Sequence, residues 1–239
     1  MTYALITGAA KRIGKSIAIF LAKQGWDIVI HYNKSYNEAV KLQRVIERTN
    51  QKCILYQSNF SKLENNNCFN HRIPLGIIVN NASDFKVDYL DNLNYKNFFN
   101  ILKVNFITPM LLTQIVLSNS TYQKQINIIN ILDSIIYKLP SKFISYYFSK
   151  YMLANFTKVS AKLHAPKLRV NGIALGHILK NKKQSLHHFQ KCSKKSILGY
   201  NGSIKEICNT IDFILNNRSI TGQIISLDGG SHLDNFYYP

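Results

Sequence analysis

The chain has 239 residues, 46% of them hydrophobic, and 30 Lys and Arg against 12 Asp and Glu give it a net charge of +18. That length can bury roughly 70–75% of the unfolded surface in one core, and the apolar fraction is ordinary for a soluble globular protein. The charge alone would fit nucleic acid or an anionic surface, but the basic residues are dispersed through a sequence rich in Lys, Asn, Ile, Tyr and Phe, so neither nucleic acid nor a membrane is expected as a partner.

Residues 3–7 (YALIT) are an apolar run suited to a buried parallel strand. The helix after it carries Ile13, Ile17, Phe20 and Leu21 on one face, with Gly25 as its stop. DIVIH, residues 27–31, completes a strand–turn–helix–strand unit, the context a glycine phosphate loop needs. Further strands are expected near residues 53–57, 76–80, 126–132, 169–174 and 223–227, and helices over 35–49, 94–118, 143–164 and 203–216. The alternation predicts one α/β domain over residues 1–239: a Rossmann-type doubly wound sheet of about seven parallel strands, with helices on both faces and ligands at the strands' carboxyl ends.

Residues 61–71 (SKLENNNCFNH) predict at most a short or frayed helix. Residues 178–196, with Lys180, Lys182, Lys183, Lys191, Lys194 and Lys195, fall where a mobile substrate lid belongs. The first strand begins at Tyr3, which leaves no room for a signal peptide, and no apolar run is expected to reach membrane-spanning length. Cys53, Cys68, Cys192 and Cys208 have no CxxC or metal-ligand spacing, so reduced thiols in a cytoplasmic protein and no bound metal are expected.

In TGAAKRIG (residues 7–14), Gly8 permits a tight turn, and Gly14, beside Ile13, permits close approach of a helix whose N-terminal amides suit a phosphate. Arg12 replaces the middle glycine common in such loops; its guanidinium suits a pyrophosphate or an electron-rich substrate ring, unless it faces solvent. His31-Tyr32-Asn33-Lys34-Ser35 closes the second strand, where an NAD site places Asp or Glu. Here no carboxylate repels a 2′-phosphate, while a cation and a hydroxyl stand ready to bind one, which favours NADPH over NADH. Asn59 suits an adenine contact after the third strand. Asn80-Asn81-Ala82-Ser83 would line the cofactor groove, and Phe85 suits either a flat wall for a heterocycle or the core. Asn105, a poor helix former inside KVNFITP, reads as a water-holding relay or as a buried amide bonded to backbone.

Tyr146 and Lys150 share a helix face at i and i+4. A phenol with a pKa near ~10 holds its proton too tightly for efficient chemistry at neutral pH, and the lysine is expected to lower it while reaching toward a ribose. Asp133 lies thirteen residues before Tyr146, where serine is usual. Ser134 and Tyr147 form a competing pair, but Tyr147 is only three residues from Lys150.

In this order TGAAKRIG, NNAS, Asn105, Tyr146 with Lys150, RVNGIALG and LDGG resemble the short-chain dehydrogenase/reductase family across essentially the whole chain. TGAAKRIG with HYNKS, NNASDF and Asp133 is similar to the pteridine reductases and the bacterial dihydromonapterin reductases, which also reduce dihydrofolate. The resemblance implies NADPH held by Gly8, Arg12, Ile13, Gly14, Tyr32, Asn33, Lys34, Ser35 and Asn59, and further by Asn81, Ala82, Ser83, Tyr146, Lys150 and Gly176. It implies a pterin or folate substrate against Arg12, Ser83, Phe85, Asp133 and Tyr146, with Asn105, Asp133, Tyr146 and Lys150 as the catalytic set. It also implies a homotetramer (or dimer) built partly on the helix bearing Tyr146. Leu175 departs from the family's proline before Gly176.

The aspartate suits this substrate. A ketone's oxygen gains negative charge on reduction and wants a neutral hydroxyl beside it, whereas a pterin presents amino and ring N–H donors that seek an acceptor. The runner-up is a ketone or 3-oxoacyl-thioester reductase, against which Asp133 argues. A basic nucleic-acid-binding or regulatory protein on the same fold is the remote alternative, against which the intact Tyr146–Lys150 pair argues.

Overall fold

The computed structural model describes residues 2–63, 69, 73–118, 125–180, 185, 187, 194, 196–200 and 202–233. Its strands are β1 (Tyr3–Ile6), β2 (Asp27–Tyr32), β3 (Cys53–Gln57), β4 (Leu75–Asn80), β5 (Ile126–Asp133), β6 (Leu168–Leu175) and β7 (Ile224–Leu227). They form one parallel sheet in the order β3-β2-β1-β4-β5-β6-β7. The helices are α1 (Arg12–Lys23), α2 (Tyr36–Glu47), α3 (Tyr95–Leu102), α4 (Thr108–Ser118), α5 (Ile144–His164) and α6 (Ile204–Asn216).

Side chains alternate between the two faces of a strand, and both faces here are covered. Ala4, Ile6, Ile28, Ile30, Ile77 and Val79 pack with α1, α2 and α6. Leu5, Val29, Ile78 and Ile128 pack with α4 on the other side. Burial on both faces is why β1, β2 and β4 read as continuous apolar runs rather than alternating ones. The strand order reverses between β1 and β4, so the connections leaving them diverge and open a crevice at their carboxyl ends. Gly25 stops α1 as its position suggested: it sits at φ +89°, left-handed backbone that costs glycine little, and its amide reaches the Ala22 carbonyl.

Two expectations need amending. The single helix expected over 94–118 is α3 and α4 joined by a π-helical turn, Lys103–Ile107. Pro109 explains it: a proline cannot donate to the carbonyl four residues back, that of Asn105, and its ring crowds that carbonyl, which a widened turn relieves. The stretch Tyr95–Ser118 is also long and apolar enough to cross a membrane by length and composition, contrary to expectation. Half of its most apolar 18 residues are buried in the fold, with α3 against α5 and α4 in the core, which accounts for its apolar character. The expected helix at 61–71 is seen only as a 3₁₀ turn, Phe60–Lys62, and most of that stretch and of the expected lid at 178–196 lies outside the described residues.

Candidate active site

A cleft of about 630 Å³ runs along the carboxyl ends of β1 to β4. Ten of the residues expected to hold the cofactor line it: Gly8, Arg12, Ile13, Gly14, Asn33, Lys34, Asn59, Asn81, Ala82 and Ser83. The two loops that form its floor are tied together. Thr7 Oγ1 accepts the amides of Asn81 and Ala82, each at 2.9 Å, and Asn81 Nδ2 donates to the carbonyls of Thr7 at 2.8 Å and Gly8 at 3.3 Å. Gly8 turns at φ +63°, and a Cβ on Gly14 would lie 2.6 Å from both Asn81 Nδ2 and the Gly8 carbonyl. Only glycine fits there. Asn80 Nδ2 donates to Asn130 Oδ1 at 2.7 Å, bridging β4 to β5. No acidic residue occupies the first turn of α1, so its positive end is left uncompensated toward the cleft.

Arg12 starts α1 at φ +54°, a conformation unusual for a residue with a side chain. Its guanidinium donates to the carbonyls of Lys180 and Leu179, at 3.2 and 3.4 Å, tying the loop after β6 to the phosphate loop. Asn59 Oδ1 accepts from the Ser61 amide and hydroxyl, which shapes the turn after β3. The ring of Tyr32 is buried against Tyr36 and does not line the cleft, so any contact it makes there comes from its backbone. Gly176 and Ser35 also lie off the lining: the Gly176 amide donates to Leu227, and Ser35 stands at the N-terminus of α2 next to Lys34.

Lys11, not singled out from the sequence, lines the cleft as a second cation and pairs with Glu38 at 2.7 Å. The pairing holds the Glu38 carboxyl below its usual range. Both side chains are largely solvated, so the pair itself contributes little stability. If Lys34 binds a 2′-phosphate, Lys34→Ala should weaken NADPH binding about tenfold or more and leave NADH nearly unchanged. Equal losses for the two coenzymes, measured by calorimetric titration, would contradict that role.

His31 is the second residue that sequence reasoning passed over. It is buried, stacked 3.8 Å from Phe60, with Nδ1 accepting the Gly8 amide at 2.9 Å and Nε2 facing the Ser58 carbonyl at 3.1 Å. Burial lowers its pKa to about 4. The unfolded chain therefore takes up a proton as pH falls through about 6.5, while the folded chain refuses it until about 4. The stability held above the unfolded value is lost across that window, on the order of 3 kcal/mol in all. Urea midpoints should fall more steeply between pH 7 and about 5 in the native chain than in His31→Asn; parallel slopes would contradict this.

The expected catalytic residues Asp133, Tyr146 and Lys150 lie off the lining of this cleft, as does Phe85, and Ser83 links the two regions through its hydrogen bond to Tyr146. The Tyr146 hydroxyl donates to Asp133 Oδ2 at 2.9 Å, while Asp133 Oδ1 accepts the Ile135 amide at 2.8 Å. One carboxylate oxygen thus caps the turn after β5 and the other faces the phenol. Lys150 Nζ donates to the Ile131 carbonyl at 2.8 Å and stands 5.8 Å from the centre of the Tyr146 ring. Burial lowers Lys150 to about 8, with Asp133 acting in the opposite direction. The expectation that Lys150 lowers the Tyr146 pKa is not met. Burial and then Asp133 hold the phenol proton well above its usual range, with a Ser83 hydrogen bond opposing them. Tyr146 is therefore a neutral donor.

The competing pair does not assemble, since Tyr147 packs on Phe148 and Tyr151. Asn105 sits in the π turn. Its amide nitrogen donates to the Asp84 carbonyl at 2.9 Å and Ser149 Oγ at 3.0 Å, and its oxygen accepts the Asp84 amide at 2.7 Å. The side chain thus fixes the loop after β4 against α5. Phe85 lies edge-on to Tyr146 at 4.7 Å and stacks on Phe143 at 4.6 Å. Phe143, missed in the sequence, turns at φ +66° before α5, and Asp88 holds it there: its carbonyl accepts the Phe143 amide, and its carboxylate accepts the Ser145 amide and hydroxyl. The result is a flat aromatic wall beside an acceptor–donor pair.

The short chain dehydrogenase family model matches residues 2–191. Dihydromonapterin reductases of Citrobacter koseri and Shigella boydii are 27% and 28% identical over 236 residues, 96% of each chain. Among solved structures, FolM alternative dihydrofolate reductase 1 of Brucella suis, crystallised in complex with NADP, superposes with a TM-score of 0.91 at 32% identity over 97% of this chain and 95% of that one. The Brucella canis protein, also complexed with NADP, gives 0.90 at 32% identity over 100% and 96%.

Proposed function

From the premise that the chain belongs to the short chain dehydrogenase family, we propose that it is an NADPH-dependent reductase of a 7,8-dihydropterin, dihydromonapterin or dihydrofolate, giving the tetrahydro form. The observation that carries this reading is the Tyr146–Asp133 hydrogen bond beside Phe85. It offers a flat ring with N–H groups both a stacking wall and a carboxylate acceptor. A ketone would meet that carboxylate as its oxygen gains negative charge, an unfavourable pairing. The similarity to dihydromonapterin reductases and to dihydrofolate reductases that bind NADP supports the same reading.

The cleft suits NADPH. The glycine floor that admits no Cβ at Gly14, the uncompensated N-terminus of α1, and Lys11 and Lys34 at the mouth match a pyrophosphate and a 2′-phosphate. When bound, NADPH supplies the hydride, here for C6 of the dihydropterin. Arg12 and Phe85 position the pterin, and Ser83 steadies the Tyr146 hydroxyl. Asp133 accepts from the substrate's N–H groups and orients Tyr146, whose retained proton is available for N5, directly or through water. A reduction of C=N needs an acid, and a phenol held protonated by its surroundings is one. Lys150 binds ribose, and Asn105 keeps the Asp84 loop in register with α5. With NADPH dideuterated at C4, deuterium should appear at C6 of the product; product without label there would overturn the assignment.

We further read residues 1–239 as one NADP-binding domain of a cytoplasmic homotetramer (or dimer). Phe148, Tyr151, Met152 and Val159 form an exposed apolar stripe on α5, and Tyr95 and Phe99 are exposed on α3, which packs against α5; this supports burial against a second copy. Sedimentation velocity would read a monomer if this is wrong.

A further inference from the structure

We propose that His31 is a positioning residue for the cofactor: its imidazole fixes the Gly8 amide, and with it the turn that faces the pyrophosphate. The inference rests on reading the cleft as the NADPH site.

His31 lies at the carboxyl end of β2, beneath the phosphate loop and beside the turn after β3. Nδ1 accepts the Gly8 amide at 2.9 Å, which leaves the ring proton on Nε2, where it meets the Ser58 carbonyl at 3.1 Å. One ring therefore joins the phosphate loop to the wall formed by Ser58 and Phe60, and all of these residues line the cleft. The Ala9 amide also donates to the His31 carbonyl, at 2.9 Å, so residue 31 grips the turn through backbone and side chain together. The Gly8 amide is thereby committed to the imidazole rather than offered to a phosphate. Phosphate-facing donors must come from later in the loop and from the first turn of α1.

Only a neutral imidazole can accept from an amide, and the surroundings keep it neutral. Gly8, Tyr56, Ser58 and Phe60 surround it without a charged side chain among these contacts, and burial holds its pKa at about 4. The rigid stack on Phe60 at 8° between planes fixes the direction of the Nδ1 lone pair. Gly8 itself turns at φ +63° and has no side chain to restrain it, so an external brace is what holds this turn.

Three substitutions separate the two arms of the brace. His31→Phe keeps the stack and removes both hydrogen bonds. His31→Asn places an acceptor oxygen near the Nδ1 position, and His31→Gln instead reaches toward Ser58. The probes are NADPH and 2′-AMP, which lacks the pyrophosphate, titrated calorimetrically with melting temperatures recorded alongside. His31→Phe and His31→Gln should weaken NADPH roughly tenfold or more, while 2′-AMP affinity stays within about twofold and kcat at saturating NADPH changes little. His31→Asn should recover NADPH affinity to within about threefold of the native chain. Should His31→Phe fail to fold, the Asn and Gln variants still decide. Unchanged NADPH affinity in Phe or Gln, equal losses for NADPH and 2′-AMP, or failure of Asn to recover would overturn the proposal. A native chain that binds no NADPH would remove the cofactor reading itself, a result distinct from any pattern among the variants.

Discussion

Tyr146→Phe is expected to lower dihydropterin turnover by about 10²–10⁴-fold, the usual contribution of a positioned acid, while calorimetry shows NADPH affinity nearly intact. The phenol hydroxyl is buried, points at Asp133 Oδ2, and keeps its proton because burial and the adjacent carboxylate both disfavour the phenolate. Phenylalanine fills the same volume and preserves the edge-on contact with Phe85, so the loss falls on proton delivery rather than packing. The Asp133 oxygen that faced the hydroxyl then has the substrate as its partner, which limits secondary damage. Unchanged kcat would remove Tyr146 from the mechanism.

Asp133→Ser tests the other half of the pair and reverses substrate preference. The carboxylate accepts from Tyr146 on one side and caps the Ile135 amide on the other. A serine retains the capping chemistry, since its hydroxyl also caps turns and helix starts well. It loses the charge that would hold the pterin's N–H groups, and charge-assisted hydrogen bonds contribute about 1.5–3 kcal/mol, so kcat/KM for dihydropterins should fall about 10- to 150-fold. Turnover of a ketone or 3-oxoacyl thioester should rise, because the negative charge beside the developing oxyanion is gone. Loss of pterin activity with no gain on ketones would confine Asp133 to binding. No loss at all would contradict the reading of the site.

Much of this was legible because the fold repeats local rules. β1, β2 and β4 announce themselves as apolar runs, and α1 as a striped helix ended by Gly25. A doubly wound parallel sheet follows once seven strands alternate with helices, since parallel crossovers have one hand, whereas the order of its strands is seen only in the structure. What stayed hidden depends on tertiary neighbours. His31 reads as the last residue of a strand until the sheet brings Gly8 and Ser58 to its two ring nitrogens. Phe143 reads only as the start of the helix expected over 143–164 until Asp88 holds its left-handed turn. The π turn at Lys103–Ile107 was available in principle: Pro109 follows Asn105 by four residues, the spacing at which a proline disrupts a helix. The direction of the Tyr146 shift was not available, because the spacing of Tyr146 and Lys150 shows the nearby cation but not how fully both are buried. Tyr32 shows the converse: the motif named it, and its ring turned into the core.

The measurement that bears most directly on the central claim is NADPH oxidation by the purified native chain with dihydromonapterin, dihydrofolate and an acetoacetyl thioester in parallel. The Asp133–Tyr146 pair predicts turnover of the dihydropterins and none of the thioester. Turnover of the thioester alone would mean that the carboxylate does not select the substrate and that the chain is a ketone reductase.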